Sequence, residues 1–513
     1  MTRAKGELEH SLFQLVFFAA VVLAVWPLFR RGYLPIEDLP QHLAAVRVLH
    51  SYHDLHYGFE RYFELQLFRT QYLAYYVLCD WLSYVMDLEL ANRVLMIASA
   101  MATPYALWYL LRALGRSPWL ALFALPLTYN AHLILGFVNF LIAIPLALFG
   151  LGLAVRQHMA PTRRRAAALA VVGVVCFLAH VVPFALLALG CALIALDRAP
   201  AVVWKRLLPL LPAALVSLVW LVGSPAGFST VSAVQGGLGS VKAQYQPADV
   251  AWRDLPNWLT DTLHGDEDLH VLMGYAGLLL CTLLAGALAA LVRRVRVRSD
   301  GKPHTGAWPL SWRLLPLAPL CLMLYFVTPS AYDWIWPIAQ RFPLLALLFA
   351  IPVLPPPPRA WIAVSVCVLL TLTLLQARCV ARAFDSFQHD EVGDFDRALL
   401  AIPAQKRVMG LIYARWSRNV KFAAFIHFVA YYQARKGGAV MFTFADFPQS
   451  PFRFRESNRP PRVPPRWEWL PHLVQASDLT WYEYLLTRGG PAPCAGTCQE
   501  VYRGSTWSVW KLK

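Results

Sequence analysis

The sequence predicts a polytopic α-helical membrane protein with about eleven transmembrane helices, interfacial helices in its first outer loop and a small C-terminal α/β domain. Three observations predict it. Apolar residues make up 58% of the chain and charged residues 15%, with a mean hydropathy of +0.47, a balance foreign to soluble domains. Stretches such as 166–196 and 269–292 exceed the roughly 18–20 apolar residues that span a hydrocarbon core. From about Arg378 onward the apolar spans stop, and a mixed, aromatic and charged sequence runs to Lys513.

The elements follow in order. Arg3 and Lys5 place the N-terminus inside. The apolar stretch 12–29 is too long and too poorly furnished with a cleavage site to be a removable signal peptide, so it reads as a retained anchor. It delivers residues 30–88 to the outer face, where two amphipathic pieces, 40–50 and 70–86, read as helices lying in the interface. Crossings follow at about 91–111, 118–135, 137–155, 166–182, 183–196 and 207–222. After a long outer loop, 223–268, come 269–292, 314–327, 342–354 and 361–375. Basic clusters between them mark cytoplasmic loops: Arg112 with Arg116, Arg156 with Arg163 to Arg165, Arg198 with Lys205 and Arg206, and Arg293, Arg294, Arg296 and Arg298. The net charge of +16 is therefore a topology signal and not a nucleic-acid footprint.

This division gives a membrane region, 1–377, and an extracytoplasmic α/β domain, 378–513, large enough to bury its own core. Within the latter, 407–413, 439–444, 500–502 and 506–512 read as strands, 420–433 as a helix and the proline-rich 448–471 as a long loop. Most of the nine cysteines stand singly in apolar spans, as small buried hydrophobes do. Cys494 and Cys498 are either a small extracytoplasmic disulfide or two free thiols.

The segment Ile36-Glu37-Asp38-Leu39-Pro40-Gln41-His42 holds the densest chemistry. Charged groups beside a bilayer are costly unless water or a partner satisfies them. Pro40 suits the first turn of a helix, which puts Asp38 at a helix N-terminus, where the dipole favours a carboxylate, and His42 one turn on along the same face. An N-capping aspartate with a solvated histidine is the plain alternative. Asn130, His132, Asn139 and His180 fall on the outer halves of crossings or in outer loops. They either line a cavity or make interhelical hydrogen bonds. Asp261, His264, Asp266, Glu267, Asp268 and His270 form an acidic–histidine patch. It reads as a divalent-cation site or, more plainly, as a solvated loop folding over the site.

One ordered series carries a resemblance. An outward first span is followed by an acidic pair in the first outer loop, a Tyr72-Leu73-Ala74-Tyr75-Tyr76 interfacial helix, a crossing opened by Asn92-Arg93-Val94-Leu95, and the ending Arg112-Ala113-Leu114-Gly115-Arg116. This series resembles the GT-C superfamily of polyprenyl-phosphate-dependent glycosyltransferases, and most of all its protein O-mannosyltransferase and lipid A aminoarabinose transferase branch. The residue match covers about 34–116, although the pair reads Glu-Asp here where the branch has Asp-Glu. The resemblance implies inverting transfer of a sugar from a polyprenyl-phosphate donor to a glycan, lipid or protein acceptor at the outer face, without cofactor or metal. It implies Asp38 as general base with Glu37 second, and Arg69 and Arg341 on the donor phosphate. His42, Tyr72, Tyr75, Arg93, His132, Asn139, His180 and His264 would line the substrate cavity. Arg341 opens a crossing at its outer end, where a guanidinium either grips a phosphate bidentately or snorkels to the interface. The implied location is a bacterial inner membrane, multi-pass, with membrane lipids as surroundings. A lipid transporter or flippase is the second reading, but such folds carry internal repeats and midplane charges that this sequence lacks. A non-catalytic scaffold with a partner-binding outer domain is the third.

Overall fold

A computed structural model describes residues 2–227, 242–299, 310–333, 335–461, 468–494 and 496–512. Residues 228–241 of the expected long loop, 462–467 of the proline-rich run and the side chains of the Arg293–Arg298 cluster lie outside the described residues. Among the described residues seven helices are long and apolar enough to cross a bilayer: Ser11–Phe29, Leu88–Ala113, Val138–Met159, Pro200–Gly223, Glu267–Val292, Leu310–Val327 and Arg359–Glu391. Shorter apolar helices, Pro118–Leu127, Val181–Ala195 and Ala339–Val353, and the helix Arg163–Ala179 stand where the sequence places the other crossings.

The segment expected to cross at 118–135 is a wedge rather than a full α-helix. Pro118–Leu127 is a 3-10 helix buried from Leu120 to Leu127, followed by the short helix Ala131–Leu135. Irregular backbone at membrane depth is tolerated where protein surrounds it, and this burial supplies that condition. The helix Arg359–Ser386 runs unbroken through residue 378, so the change in composition there falls inside one rod.

The first outer loop departs from two helices lying in the interface. Leu39–His50 is buried along nearly its whole length, because the C-terminal region covers the face that would otherwise meet solvent. Arg47 Nε donates to the Ala434 carbonyl at 3.0 Å across that contact. Ala74–Ser83 keeps the expected amphipathy. It buries Ala74, Tyr75, Tyr76 and Cys79 and exposes Leu78 and Trp81.

Residues after 400 form a five-stranded sheet in the order 439–440, 407–412, 484–488, 507–511, 499–503. The first three strands are parallel and the last two join antiparallel. Its central strand, Tyr484–Arg488, is wholly buried and is absent from the sequence expectation. A short apolar run without alternation is ambiguous between strand and buried helix. The expected helix over 420–433 is a helix only from Ala430 to Lys436. Between 423 and 432 the chain makes successive i to i−3 bonds: Ile426 to Ala423, Phe428 to Phe425, Ala430 to His427 and Tyr431 to Phe428. The rings set this tighter winding. Phe425 and Phe428 recur every third residue and pack with Phe387, Phe395 and Trp507. The proline-rich run also yields a strand, since Phe452–Phe454 pairs antiparallel with Phe63–Leu65 of the first loop. Cys494 and Cys498 form a disulfide with Cα atoms 5.5 Å apart.

One apolar cluster runs continuously from Phe13 in the bundle to Trp507 and Val509 in the sheet, so the C-terminal region is welded to the bundle. Arg435 ties the same junction with charge. Its Nε meets Glu89 at 2.7 Å and its Nη1 meets Asp396 at 2.8 Å and the Tyr33 hydroxyl at 2.6 Å. Arg435→Ala should lower stability by roughly 1–2 kcal/mol, because both carboxylates keep some access to water. Arg435→Lys should recover less than half, an ammonium lacking the planar fork. Thermal unfolding of the detergent-purified protein checks both, and an unshifted Arg435→Ala midpoint would refute the tie.

Candidate functional site

The acidic segment is pinned by backbone before any side chain acts. Glu37 N–H donates to the Ile134 carbonyl at 2.9 Å and Asp38 N–H to the Leu135 carbonyl at 3.0 Å. The approach is close because residue 136 is glycine. Its φ is +88°, and a Cβ there would stand 3.0 Å from Asp38 Cβ and 3.1 Å from Asp38 N. Asp38 occupies the N-cap of Leu39–His50, yet its side chain makes no capping hydrogen bond. The carboxylate faces His427 instead, with Oδ1 3.0 Å from Nδ1. The N–H direction lies off the line of that contact, so the pair is held by charge more than by a linear hydrogen bond.

Glu37 turns the other way. Its Oε2 accepts the Ala423 N–H at 3.0 Å, fastening the C-terminal region to the loop. Burial, helped by the neighbouring Asp38 charge, pushes Glu37 up from 4.5 to about 7. His42 is pulled down to about 4 by burial, so it is a neutral imidazole at physiological pH. It shares a contact with the Tyr76 hydroxyl at 3.1 Å. For His427, burial pulls downward, but the contact with Asp38 and the charges of Asp38, Glu37 and Glu468 outweigh it and raise the imidazole.

These groups open into a cavity of about 330 Å³ that is also lined by Tyr72, Asn139, His180, Arg341, Asp446 and Glu468. His180 arrives by a chain reversal. It ends the helix Arg163–Ala179 and begins Val181–Ala195 in an extended conformation, φ −164° and ψ 132°, with Nδ1 accepting the Val182 N–H at 3.1 Å. Its ring lies 5.3 Å from that of Tyr72. Arg341 enters from the start of Ala339–Val353, its guanidinium over the Phe137 ring at 5.6 Å. Among the described residues no carboxylate lies within ion-pair distance of it, and its Nε is buried without a hydrogen-bond partner. The cavity thus has a cationic end at Arg341 and an acidic end. Burial raises Asp446 to about 6 and raises Glu468 as well.

The sequence-predicted residues divide. Asp38, Glu37, His42, Tyr72, Asn139, His180 and Arg341 share the cavity. Tyr75 stands behind it, fully buried, with its hydroxyl donating to Asn92 Oδ1 at 2.7 Å and its N–H to Asn139 Oδ1 at 3.3 Å. His132 is also one layer back, buried with Nε2 3.1 Å from the Gln340 carbonyl, where it buttresses the turn that carries Arg341. Arg93 spends its guanidinium on the carbonyls of Leu28 and Gly32 and fixes the entry to the loop. Arg69 lies apart, in a surface hollow with Glu64 and Arg453, because the turn after strand Phe63–Leu65 directs it outward. His264 is exposed, and its backbone N–H donates to the Asn419 carbonyl of the C-terminal region at 3.0 Å. In the acidic–histidine patch, Asp261 pairs with Lys421 at 2.6 Å and Asp268 accepts the N–H groups of Thr262 and Leu263, so the patch serves docking of the C-terminal region.

Sequence reasoning missed the opposite wall. His427, Phe442, Thr443, Phe444, Asp446 and Glu468 all line the cavity from beyond residue 400. Gln41, inside the quoted segment but unassigned, holds this wall by donating to the Phe442 carbonyl and accepting the Phe444 N–H. Phe442 sits at φ +49°, a left-handed conformation that costs a bulky residue about 1–3 kcal/mol and marks sites where the surroundings impose the geometry.

The chain shares its overall fold with solved structures at low sequence identity. The chain is similar to ArnT from Cupriavidus metallidurans in the apo state, with a TM-score of 0.55 and 12% identity over 98% of both chains. It is equally similar to the same protein bound to undecaprenyl phosphate, with a TM-score of 0.55 and 13% identity over 98% of both chains. Arabinofuranosyltransferase AftD from Mycobacteria, in a mutant form, matches with a TM-score of 0.51 and 14% identity over 98% of this chain and 41% of that one. No family model matches the sequence, and no curated protein matches it either.

Glu37 makes stability pH-dependent with a definite sign. Its carboxyl is raised in the fold from 4.5 to about 7, so the stabilisation is whole below about 4.5 and is lost as pH rises through 7, a cost on the order of 3 kcal/mol. Glu37→Gln keeps an oxygen for the Ala423 N–H and has no proton to lose. Its melting midpoint should stay flat between pH 4.5 and 8 relative to the falling wild-type curve, and parallel curves would contradict the assignment.

Proposed function

We propose that this protein is a membrane glycosyltransferase that moves a sugar from a polyprenyl-phosphate carrier to an acceptor by a single inverting displacement, with Asp38 as general base. One observation carries the reading: Asp38 and the anion-less Arg341 line the same cavity. A buried cation without a counterion is costly, and a phosphate arriving in the cavity would supply the missing charge.

In the reaction, the acceptor hydroxyl or amine loses its proton to Asp38 as its lone pair attacks the anomeric carbon. The carbon–oxygen bond to the phosphate breaks with its electron pair, and polyprenyl phosphate leaves. Arg341 meets the negative charge that develops on the departing oxygen, where a fixed cation stabilises the transition state most. His427 is a positioning residue. Its ring, 3.0 Å from Asp38 Oδ1, holds the carboxylate aimed between rounds of proton transfer, and a base must lie within hydrogen-bond reach of the proton it takes. The acidic end formed by Asp446 and Glu468 then falls to the acceptor or to the sugar hydroxyls. We assign residues 378–513 as an extracytoplasmic domain and the membrane as a bacterial inner membrane, the orientation that the basic loop clusters favour. With that orientation the cavity opens where lipid-linked donors are presented on the outer face.

Asp38→Asn should lower kcat for transfer from a synthetic undecaprenyl-phosphate sugar by about 10²–10⁴-fold, the usual share of general-base catalysis, with donor binding retained. Arg341→Gln should lower transfer by a comparable factor while also weakening donor binding. His427→Asn should lower kcat less than Asp38→Asn, because the base remains but loses the partner that aims it. Full transfer by Asp38→Asn would overturn the base, and wild-type protein inert with every lipid-phosphate sugar tried would overturn the enzymatic reading.

A further inference from the structure

A second cavity lies at the far end of the bundle. It measures about 180 Å³ and is lined by Gln157, His158, Lys205 and Arg206 on one side and by apolar residues such as Leu169 and Ile194 on the other. Its depth follows from one helix. Val138–Met159 carries Asn139 in the candidate active site and Gln157 in the second cavity. At about 1.5 Å per residue the two stand roughly 27 Å apart along the axis, close to the ~30 Å thickness of a hydrocarbon core. The second cavity therefore opens at the opposite membrane interface.

Its charge is lopsided. Arg206 donates to the Ala195 carbonyl at 3.1 Å and pairs with Asp197 at 3.0 Å, and Arg313 donates to the carbonyls of Ile194 and Leu196. Arg206, Arg313 and Asp197 all act electrostatically on His158, so Asp197 is one carboxylate among several cations. Lys205 has no ion pair among the described residues, and His158 Nδ1 is buried without a hydrogen-bond partner. The helix that brings Lys205 and Arg206, Pro200–Leu207, buries none of its residues and turns Trp204, 70% exposed, outward. An exposed tryptophan beside lysine and arginine at a membrane boundary is the signature of an element seated at headgroup level.

We propose that this cavity binds the phosphodiester headgroup of an anionic phospholipid of the inner leaflet. Lys205 and Arg206 meet the phosphate, His158 Nδ1–H donates to a headgroup oxygen, and the apolar wall of Leu169, Cys191 and Ile194 takes the start of an acyl chain. Basic pockets between transmembrane helices on the cytoplasmic side recognise acidic headgroups by this combination of point charges and apolar flank. The site is independent of the sugar-transfer chemistry, and its occupancy stabilises the bundle by mass action.

The test is thermal unfolding of the full chain in a neutral detergent, titrated with phosphatidylglycerol, phosphatidylcholine or glycerol phosphate. Phosphatidylglycerol should raise the midpoint by several degrees in a saturable way, and the other two should leave it unmoved. A shift of equal size with glycerol phosphate would mean a soluble anion site and would overturn the lipid, and equal stabilisation by phosphatidylcholine would overturn charge recognition. Lys205→Gln combined with His158→Gln should abolish the phosphatidylglycerol shift, whereas Arg164→Gln should retain it, because Arg164 is exposed outside the cavity. Equal loss in both variants would reduce the effect to general attraction of acidic lipid to a basic face and refute a built site. Should the double variant fold poorly, Lys205→Gln alone must still weaken apparent phosphatidylglycerol affinity several-fold more than Arg164→Gln does.

Discussion

The structure turns on how two adjacent carboxylates are kept at the edge of a hydrocarbon environment. Burying a charge without a partner is prohibitive, and the chain solves the problem from two directions. From the bundle side, the backbone of Glu37 and Asp38 is bonded to the carbonyls of Ile134 and Leu135, which sets where both side chains start. From the C-terminal side, His427 meets Asp38 and the Ala423 N–H meets Glu37. The two partners lie four residues apart in one tightly wound segment, so the carboxylates are satisfied together or not at all. Neither part of the chain completes the site alone.

That mutual dependence explains the divided legibility of the site. Asp38 could be read from local chemistry, because Glu-Asp-Leu-Pro announces a helix start and the helix does begin at Leu39. Arg341 could be read from its place at the end of an apolar run, since the boundary between charge and hydrocarbon is itself a sequence feature. His427 could not. Read as part of a regular helix over 420–433 it is one polar residue on an amphipathic face. Only the every-third-residue packing of Phe425 and Phe428 against Trp507 winds the segment tightly enough to aim it inward. The same logic hides Tyr484–Arg488, whose apolar part, Tyr484 to Leu486, is too short to show a period. Its buried Arg488 is intelligible only once the guanidinium is seen 3.5 Å over the Phe425 ring, donating to the Glu391 carbonyl.

Arg69, Arg93 and His132 show the complementary error. Each has the right chemistry in the right stretch of sequence, but long polar side chains choose their partners in three dimensions. Arg93 is consumed by two backbone carbonyls, those of buried Leu28 and exposed Gly32. His132 is consumed by the carbonyl of Gln340. These residues support the site without facing it. Sequence spacing therefore named seven residues that share one cavity without showing which way the others face. The fold class needed only composition and span length, quantities that side-chain partnering does not alter.

The distribution of unmet valence then points to what the cavity is for. Most buried polar atoms in a folded protein find partners, and around the acidic pair nearly every one does: Glu37, Asp38, His42 and Gln41 are each assigned to a named group. Four atoms on the same cavity have none, Arg341 Nε, His180 Nε2, His427 Nδ1 and Gln449 Oε1, and of these groups Arg341 is the fixed cation, with no carboxylate in ion-pair distance among the described residues. A protein that matches its carboxylates so closely and leaves a guanidinium unmatched has an asymmetry that packing alone does not reward, since replacing the arginine with an apolar residue of similar size would cost nothing in hydrogen bonds. The asymmetry makes physical sense if the counter-charge comes and goes. A transient anion on Arg341 and a held carboxylate at Asp38, both lining one cavity, would suit the displacement at carbon proposed above, which needs a place for the leaving group and an acceptor for the proton.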